Sequence, residues 1–478
     1  MPAMTVEEAD ARMDVTVDVQ EIIDEHRRYF DGGATREAEF RLLQLRRLRD
    51  GIIKHEAALF DALYRDLRKS ETESYATEIG LVLGSITYML KHLRKWMKPR
   101  KAKTPMPLLG SKSYTVPEPY GTVLIVGPFN YPVQLVLEPL IGAIAAGNCA
   151  VVKPSESTPH VSAAIRELIR DTFDPAYVRV IEGDKDVTSA LIHAPFDYIF
   201  FTGSTNVGRI VMEAAARNLV PVTLELGGKS PAIIDHTANL ELAAKRIVWG
   251  KLLNAGQTCI APDYLLVHDS VKERLVPLLK ETVRQFYGED PAASEDYGRI
   301  VNDRQFDRLT AIMEEDRDRI LWGGGRDRND LYIAPTLIDA GKSLHDGEGS
   351  AAMRDELFGP LLPVLTFNDL EEAIRLVRGR SKPLALYLFT EDAATEREVM
   401  GRLSFGGGCV NDTLSHIINH HLPFGGVGAS GIGGYHGEHS FELFSHRKSI
   451  LKRTTRFEPG FLFPPYKGKL KWARKILK

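Results

Sequence analysis

The sequence predicts an α/β protein: a parallel sheet built by strand–helix–strand crossovers, a second α/β segment after it, and a small bridging β element outside both. Three observations carry this expectation. From Tyr120 onward, short β-rich runs recur at Thr122 to Val126, Cys149 to Val152, Val178 to Ile181, Tyr198 to Phe201 and Val222 to Leu226. Helical stretches separate several of them, notably Gln134 to Ala146, His160 to Thr172 and Val207 to Arg217. Apolar strands alternating with helices are those of a parallel sheet covered on both faces. Second, 478 residues are too many for one core, so two or three domains are expected. Third, a further strand series follows between Gly227 and Asp412, at Ala232 to Ile234, Tyr264 to Val267, Leu362 to Thr366, Ala385 to Phe389 and Gly408 to Val410.

In chain order, the N-terminus from Met1 to Asp18 is acidic and lacks the apolar core of a secretory signal. Leu42, Leu45, Leu48, Ile52 and Ile53 give a long helix an apolar stripe. Ser70-Glu71-Thr72-Glu73 has the capping-box form and opens a second long helix that Pro99 ends. Lys98 to Lys103, followed by Pro105 and Pro107, reads as a basic linker. The expected division is residues 1–226 for the N-terminal helices and dinucleotide-binding sheet (with bridging strands at 111–120), and 227–412 for the second α/β domain. A Gly-rich return loop at 413–439, a bridging strand at 440–456 and a basic amphipathic tail at 457–478 complete it.

Composition excludes some functions. A net charge of -3, from 61 basic and 64 acidic residues, argues against nucleic acid as the main partner. No apolar run is long enough to span a bilayer. Cys149, Cys259 and Cys409 form neither a disulfide framework nor a zinc pattern, which suits a reducing, cytoplasmic compartment.

Four stretches carry chemistry. Cys259, in Asn254-Ala255-Gly256-Gln257-Thr258-Cys259, sits between small and polar residues just after a helical run, ground that suits a nucleophile, although a lone cysteine needs a base and a partner site before it is read as one. Gly203-Ser204-Thr205-Asn206-Val207-Gly208 follows a strand and opens a helix, so Gly203 allows a tight turn and free N–H groups can face a pyrophosphate. Gly426-Val427-Gly428-Ala429-Ser430-Gly431 matches the dinucleotide fingerprint better, but no strand precedes it and no helix follows. It is expected to be a loop passing close to something else. Lys153 and Glu156 end another strand of the sheet, where Glu156 could accept from a ribose 2′-OH and would repel a 2′-phosphate.

Together, Glu225-Leu226-Gly227-Gly228-Lys229, the Cys259 stretch, Glu356-Leu357-Phe358-Gly359-Pro360 and Pro423-Phe424-Gly425-Gly426 resemble the aldehyde dehydrogenase superfamily. Gly256 to Tyr264 and the closing pattern through Tyr435-His436-Gly437 to Ser445-His446 look most like its class 3, fatty and aromatic aldehyde branch. The resemblance runs in register from about Arg36 to Tyr466. It implies that family's fold, with a Rossmann-type cofactor domain, and NAD(P)-dependent oxidation of aldehydes to carboxylates through a thioester. By the same resemblance Cys259 is the nucleophile, in surroundings that must favour its anion, Asn130 the oxyanion donor and Glu225 the general base. Glu356 and Phe358 hold the nicotinamide ribose, while Lys153, Glu156, Gly203, Ser204 and Gly208 contact adenosine and pyrophosphate. Glu156 favours NAD, and the branch tolerates NADP as well. Phe129 stands where the family commonly has Trp.

Two other readings are weighed. A CoA- or phosphate-dependent reductase of the same fold would not rely on a Glu base, and a non-catalytic NAD-binding or structural protein would not keep Cys259, Asn130, Glu225 and Glu356 together. Cys149 and Cys409 lie in apolar strands and read as core. His416, His420 and His421 are expected to line the substrate entrance or pack on the Gly-rich loop, with no metal assigned. Leu470, Trp472, Ala473, Ile476 and Leu477 among Lys467, Lys469, Lys471, Arg474, Lys475 and Lys478 make a basic amphipathic pattern. It suits an anionic membrane surface or, alternatively, a disordered or subunit-contacting tail. Strand-like segments at Ser113 to Pro117 and Ser440 to Lys452 lie outside both main sheets, and by resemblance bridge a homodimer.

Overall fold

The computed structural model describes residues 18–342, 349–456 and 463–476. Helix α1 (Val19–Asp31) starts at Asp18, whose carboxylate accepts the Glu21 N–H. α2 (Ala38–Leu67) buries Leu42, Leu45, Leu48 and Ile52, while Ile53 points to solvent. Ser70 caps the next helix by accepting from the Glu73 N–H, as the box form predicts. The reciprocal bond is absent, because the Glu73 carboxylate accepts the Asn254 N–H instead. That helix runs from Glu71–Ser74 through one π turn (Tyr75–Ile79) into α3 (Gly80–Trp96), and so stops before Pro99. The expected basic linker contains a short strand, β1 (Arg100–Ala102), paired antiparallel with β2 (Lys112–Pro119).

The first main sheet holds β3 (Thr122–Val126), β4 (Cys149–Lys153), β5 (Val178–Val180), β6 (Tyr198–Gly203) and β7 (Val222–Leu226), parallel and in the order β7-β6-β3-β4-β5. Between successive strands run α4 (Gln134–Ala146), α5 (Pro159–Thr172), α6 (Lys185–His193) and α7 (Thr205–Arg217). Every residue of α4 is buried, and the helix ends at Gly147 in a left-handed conformation that glycine adopts freely.

In the second segment, β8 (Pro231–Ile234), α8 (Leu240–Leu252), β9 (Tyr264–His268), α9 (Asp269–Tyr287) and β10 (Ile320–Trp322) come first. A two-stranded ribbon, β11 (Arg326–Asp327) and β12 (Tyr332–Ile333), precedes β13 (Thr336–Lys342), β14 (Leu361–Phe367), β15 (Ala385–Phe389) and β16 (Gly407–Val410). The second sheet has the order β10-β13-β14-β9-β8-β15-β16, with β10 antiparallel and the rest parallel. β10 and β13 have no counterpart in the expected strands. β13 shifts register between Asp339 and Gly341, so its apolar run is too short to read as a strand by itself.

β17 (Gly431–Ile432) adds to the first sheet, antiparallel to β7. The segment from Ser440, expected to be strand throughout, begins as helix α10 (Glu438–Leu443), and only β18 (Ser445–Lys452) is extended. Phe441 and Phe444 bury their rings there, and Ser440 packs so closely on Gly142 of α4 that a Cβ on that glycine would lie 2.9 Å away. β18 joins β2 antiparallel over its full length and completes a three-stranded sheet apart from the other two. The tail contains helix α11 (Leu470–Ile476), and Leu477 and Lys478 of its expected pattern lie outside the described residues. Among the described residues no helix is long and apolar enough to cross a membrane.

Candidate active site

The site forms at the carboxyl end of β7, where a parallel sheet leaves a crevice. Leu224 and Leu226 pack into the core beside β6, and Glu225 between them is only 3% exposed. Neither carboxylate oxygen has a hydrogen-bond partner among the described residues, and burial holds its pKa well above the carboxylate range. Gly431 of β17 lies directly opposite Glu225, where a Cβ would collide with the Leu224 carbonyl. The Gly426–Gly431 stretch is therefore a loop pressed against the strand that carries this acid, as expected of it.

Cys259 is set by a turn after α8. Asn254 and Ala255 both have left-handed backbones, with φ of 52° and 51°. Such strain persists only where neighbours hold it. Here the Asn254 N–H donates to Glu73 (2.8 Å), and Asn254 Nδ2 donates to the Asn130 and Gln257 carbonyls at 2.7 and 3.1 Å. Gln257 Nε2 donates to the Arg299 carbonyl, its Oε1 accepts the Val301 N–H, and the Thr258 hydroxyl meets Tyr131 Oη at 2.6 Å. The thiol that results is pushed up to about 12, by burial first and then by the Glu356 and Glu225 carboxylates. The N–H groups of Cys259 and Ile260 oppose this. Those N–H groups are the favourable surroundings expected of the site, and in the protein without nucleotide, burial outweighs them.

The other expected residues arrive from separate loops. Asn130 is buried, and its Nδ2 has no partner among the described residues. The Glu356 carboxylate lies so close over Gly227 that a Cβ there would collide with it, and burial, reinforced by Asp263, pushes it up to about 8. Its loop is clamped from outside. Lys229 Nζ pairs with Asp263 at 2.5 Å, Asp263 Oδ1 accepts the Leu357 N–H, and Arg308 donates to the carbonyls of Glu356 and Leu357. Phe358, at a left-handed φ of 51°, sets its ring edge-on to Phe129 at 5.6 Å.

The remaining expected residues lie further along the same sheet edge. Gly203 ends β6 opposite Leu226, and only Ser204 separates it from α7, which is the tight turn expected there; Gly203 is not left-handed, and a Cβ on it would meet the Phe201 ring. Ser204 caps α7 through the Val207 N–H, and Gly208 lets that helix approach Leu226. Lys153, buried at the end of β4, donates to the Pro154 carbonyl (2.8 Å) and to Glu156 (3.2 Å), whose side chain is half exposed. β6 and β3 separate β4, which carries Lys153, from β7, which carries Glu225.

Two residues facing the pocket were missed. Thr202, opposite Glu225 on β6, and Tyr435 both bury hydroxyls with no partner among the described residues, and the Tyr435 phenol is raised by burial and then by Glu225. Tyr435 belongs to a motif already noted, whereas Thr202 is marked only by strand register. Cys149 is buried as expected. Cys409 is only partly buried, 3.5 Å from His416 Nδ1, so it is not a closed-core cysteine: β16 is an edge strand, flanked by the His416 loop. His416 stacks on Phe424, while His420 and His421 meet Tyr88 of α3.

These residues fit a nicotinamide dinucleotide. Lys153 has spent two of its three ammonium donors, the N-terminus of α7 opens beside Gly203, and Glu356 stands on a rigid loop over Gly227.

The fold and this pocket define an α/β oxidoreductase with its thiol and carboxylates at the edge of a nucleotide-type sheet. The chain belongs to the aldehyde dehydrogenase family, which it matches over residues 2–450. It is 53% identical to a 4,4'-diaponeurosporen-aldehyde dehydrogenase of Staphylococcus aureus, over 94% of this chain and 97% of that one. A solved structure of Staphylococcus aureus AldH in a substrate-bound state superposes with a TM-score of 0.94 at 51% identity, covering 98% of this chain and all of the other (100%). Betaine aldehyde dehydrogenase of Staphylococcus aureus in complex with NAD+ has a TM-score of 0.82 at 28% identity, covering 92% and 88%. The protein is an enzyme that oxidises aldehydes with NAD(P).

Proposed function

We propose that aldehyde oxidation here runs through Cys259, Asn130 and Glu225, with a thiohemiacetal and then a thioester on Cys259. The observation that carries this is the set of buried, unpartnered polar atoms around one thiol: both Glu225 oxygens and Asn130 Nδ2. Such groups are costly unless a ligand or transition state uses them. Sγ of Cys259 bonds to the carbonyl carbon as its proton passes to solvent water, the carbonyl π pair moves to oxygen, and that oxyanion accepts from Asn130 Nδ2 and the Cys259 N–H. Bound NAD(P) supplies the hydride acceptor and a positive charge beside the thiol. Glu356 and Phe358 hold its ribose, with Lys153, Glu156, Gly203, Ser204 and Gly208 along the rest. Glu225 then takes a proton from water as the water oxygen attacks the thioester. The carboxylic acid forms and the sulfur leaves. A buried, unpartnered Glu225 supports hydrolysis over transfer to CoA or phosphate.

The substrates we assign are long-chain or aromatic apolar aldehydes, supported by the Phe129–Phe358 wall and by the relative named for a carotenoid-type aldehyde. An NADH-release screen over short, long and aromatic aldehydes, with NAD and NADP in parallel, is expected to favour the long and aromatic ones with NAD. Silence with every aldehyde and both nucleotides would remove the reading.

We further place the enzyme in the cytoplasm as a homodimer that touches a membrane through its tail. Free cysteines support the compartment, the separate β1-β2-β18 sheet the pairing, and the exposed Leu470 (61%) and Trp472 (60%) on a basic helix the membrane contact. Full-length chain and a chain ending at Pro465 should both sediment as dimers, with only the former pelleting on anionic liposomes. Monomers, or equal pelleting, would count against each part in turn.

A further inference from the structure

Lys69 and Glu78 form an ion pair shut off from solvent: Nζ and Oε1 stand 2.5 Å apart, and both side chains are fully buried. Desolvation makes such a pair a poor source of net stability, so its geometry needs another reason. All its remaining bonds run to one loop. Lys69 Nζ donates to the Asn130 carbonyl (3.0 Å) and lies 4.0 Å over the Tyr131 ring. Glu78 Oε2 accepts the Val133 and Gln134 N–H groups at 2.8 and 3.2 Å, which are free donors at the start of α4. The π turn Tyr75–Ile79, an irregularity that recurs at functional sites, carries Glu78. From the opposite side Asn254 Nδ2 donates to the same Asn130 carbonyl, in the strained turn that Glu73 grips. Two donors hold the Asn130 carbonyl, while its side-chain Nδ2 has no partner among the described residues.

We propose that Lys69, fixed by Glu78, is a positioning residue for aldehyde oxidation: it locks the Asn130 backbone so that the side-chain amide faces the adduct on Cys259. The proposal rests on the reading of Asn130 as an oxyanion donor. Such a donor works only if it is set before charge develops, and a loop without this anchor would let the amide swing away.

The test compares single-turnover NADH bursts of Lys69→Met, the doubly neutral Lys69→Met/Glu78→Gln and Asn130→Ala, each also in the Asn130→Ala background. Bursts are normalised to folded enzyme, with nucleotide affinity and Cys259 alkylation by iodoacetamide measured alongside. Lys69→Met should slow the burst about 10²-fold, leave nucleotide affinity and alkylation near wild type, and add nothing to Asn130→Ala. The double variant, which leaves no unpaired charge, should show the same loss even where Lys69→Met alone folds poorly. A normal burst per folded molecule in that double variant overturns the proposal, as does full additivity with Asn130→Ala. If Asn130→Ala itself keeps a normal burst, the oxyanion reading fails first and the proposal falls with it.

Discussion

Cys259→Ala is expected to abolish NADH formation from aldehydes, lowering turnover on the order of 10⁵-fold or more, as loss of a covalent nucleophile does elsewhere. Nucleotide binding should survive, because Lys153, Glu356 and the start of α7 sit on elements that the thiol does not support. The change is small in volume at a partly exposed position, so stability should move little. The structure adds a pH consequence. A thiol pushed up to about 12 is protonated at neutral pH. Its alkylation by iodoacetamide should therefore be slow in the free enzyme, speed up as pH rises, and quicken when NAD binds. Fast, pH-independent alkylation of the free enzyme would contradict the electrostatics of this pocket, and an active Ala variant would remove Cys259 from the chemistry.

Glu225→Gln should separate the two halves of the reaction. The shape of the side chain is kept and only the base is lost, so acyl-enzyme formation continues while hydrolysis stalls. Mixing the variant with NAD and aldehyde should release about one NADH per site and then slow by roughly 10²–10⁴-fold, the range a positioned base contributes. Mass spectrometry should find the acyl group on Cys259. The sign with pH follows from burial, which raises the Glu225 carboxyl. Only the carboxylate accepts a proton, so wild-type hydrolysis should rise as pH climbs through that raised pKa, and the Gln variant should lack this rise. Steady full turnover of the variant would show that another group activates water. Tyr435 and Thr202, which share the pocket, would then be examined first.

Much of this was legible in the chain because it is local. The strands of the first sheet are short runs rich in β-branched and aromatic residues, and α4 was bounded to the residue, because composition marks the strands and a terminal glycine ends the helix. Cys259, Glu225 and Glu356 lie in short segments that resemble a family's motifs, so the resemblance marks them before any fold is known. Other features were not readable for an identifiable reason each. β13 has only a short apolar run before the register shift at Asp339, and β17, Gly431–Ile432, becomes a strand only by pairing with the edge of β7. The stretch Glu438–Leu443 is helical, which buries Phe441 beside Trp96 of α3 and brings Phe444, just after it, against Gly142 of α4. Thr202 has no sequence mark at all.

The sequence by itself determined the kind of chemistry, because its motifs resemble those of the aldehyde dehydrogenase family and set out in chain order the side chains proposed as nucleophile, base and amide donor. Only the tertiary structure decided their state. Glu225 and the Cys259 thiol are ordinary groups in water, and become hard to ionise because folding strips their solvent and sets two carboxylates beside one sulfur. Likewise Lys69 and Glu78, an unremarkable pair in the chain, gain their bearing on Asn130 from a buried contact across some sixty residues, made only once the helices close over the loop.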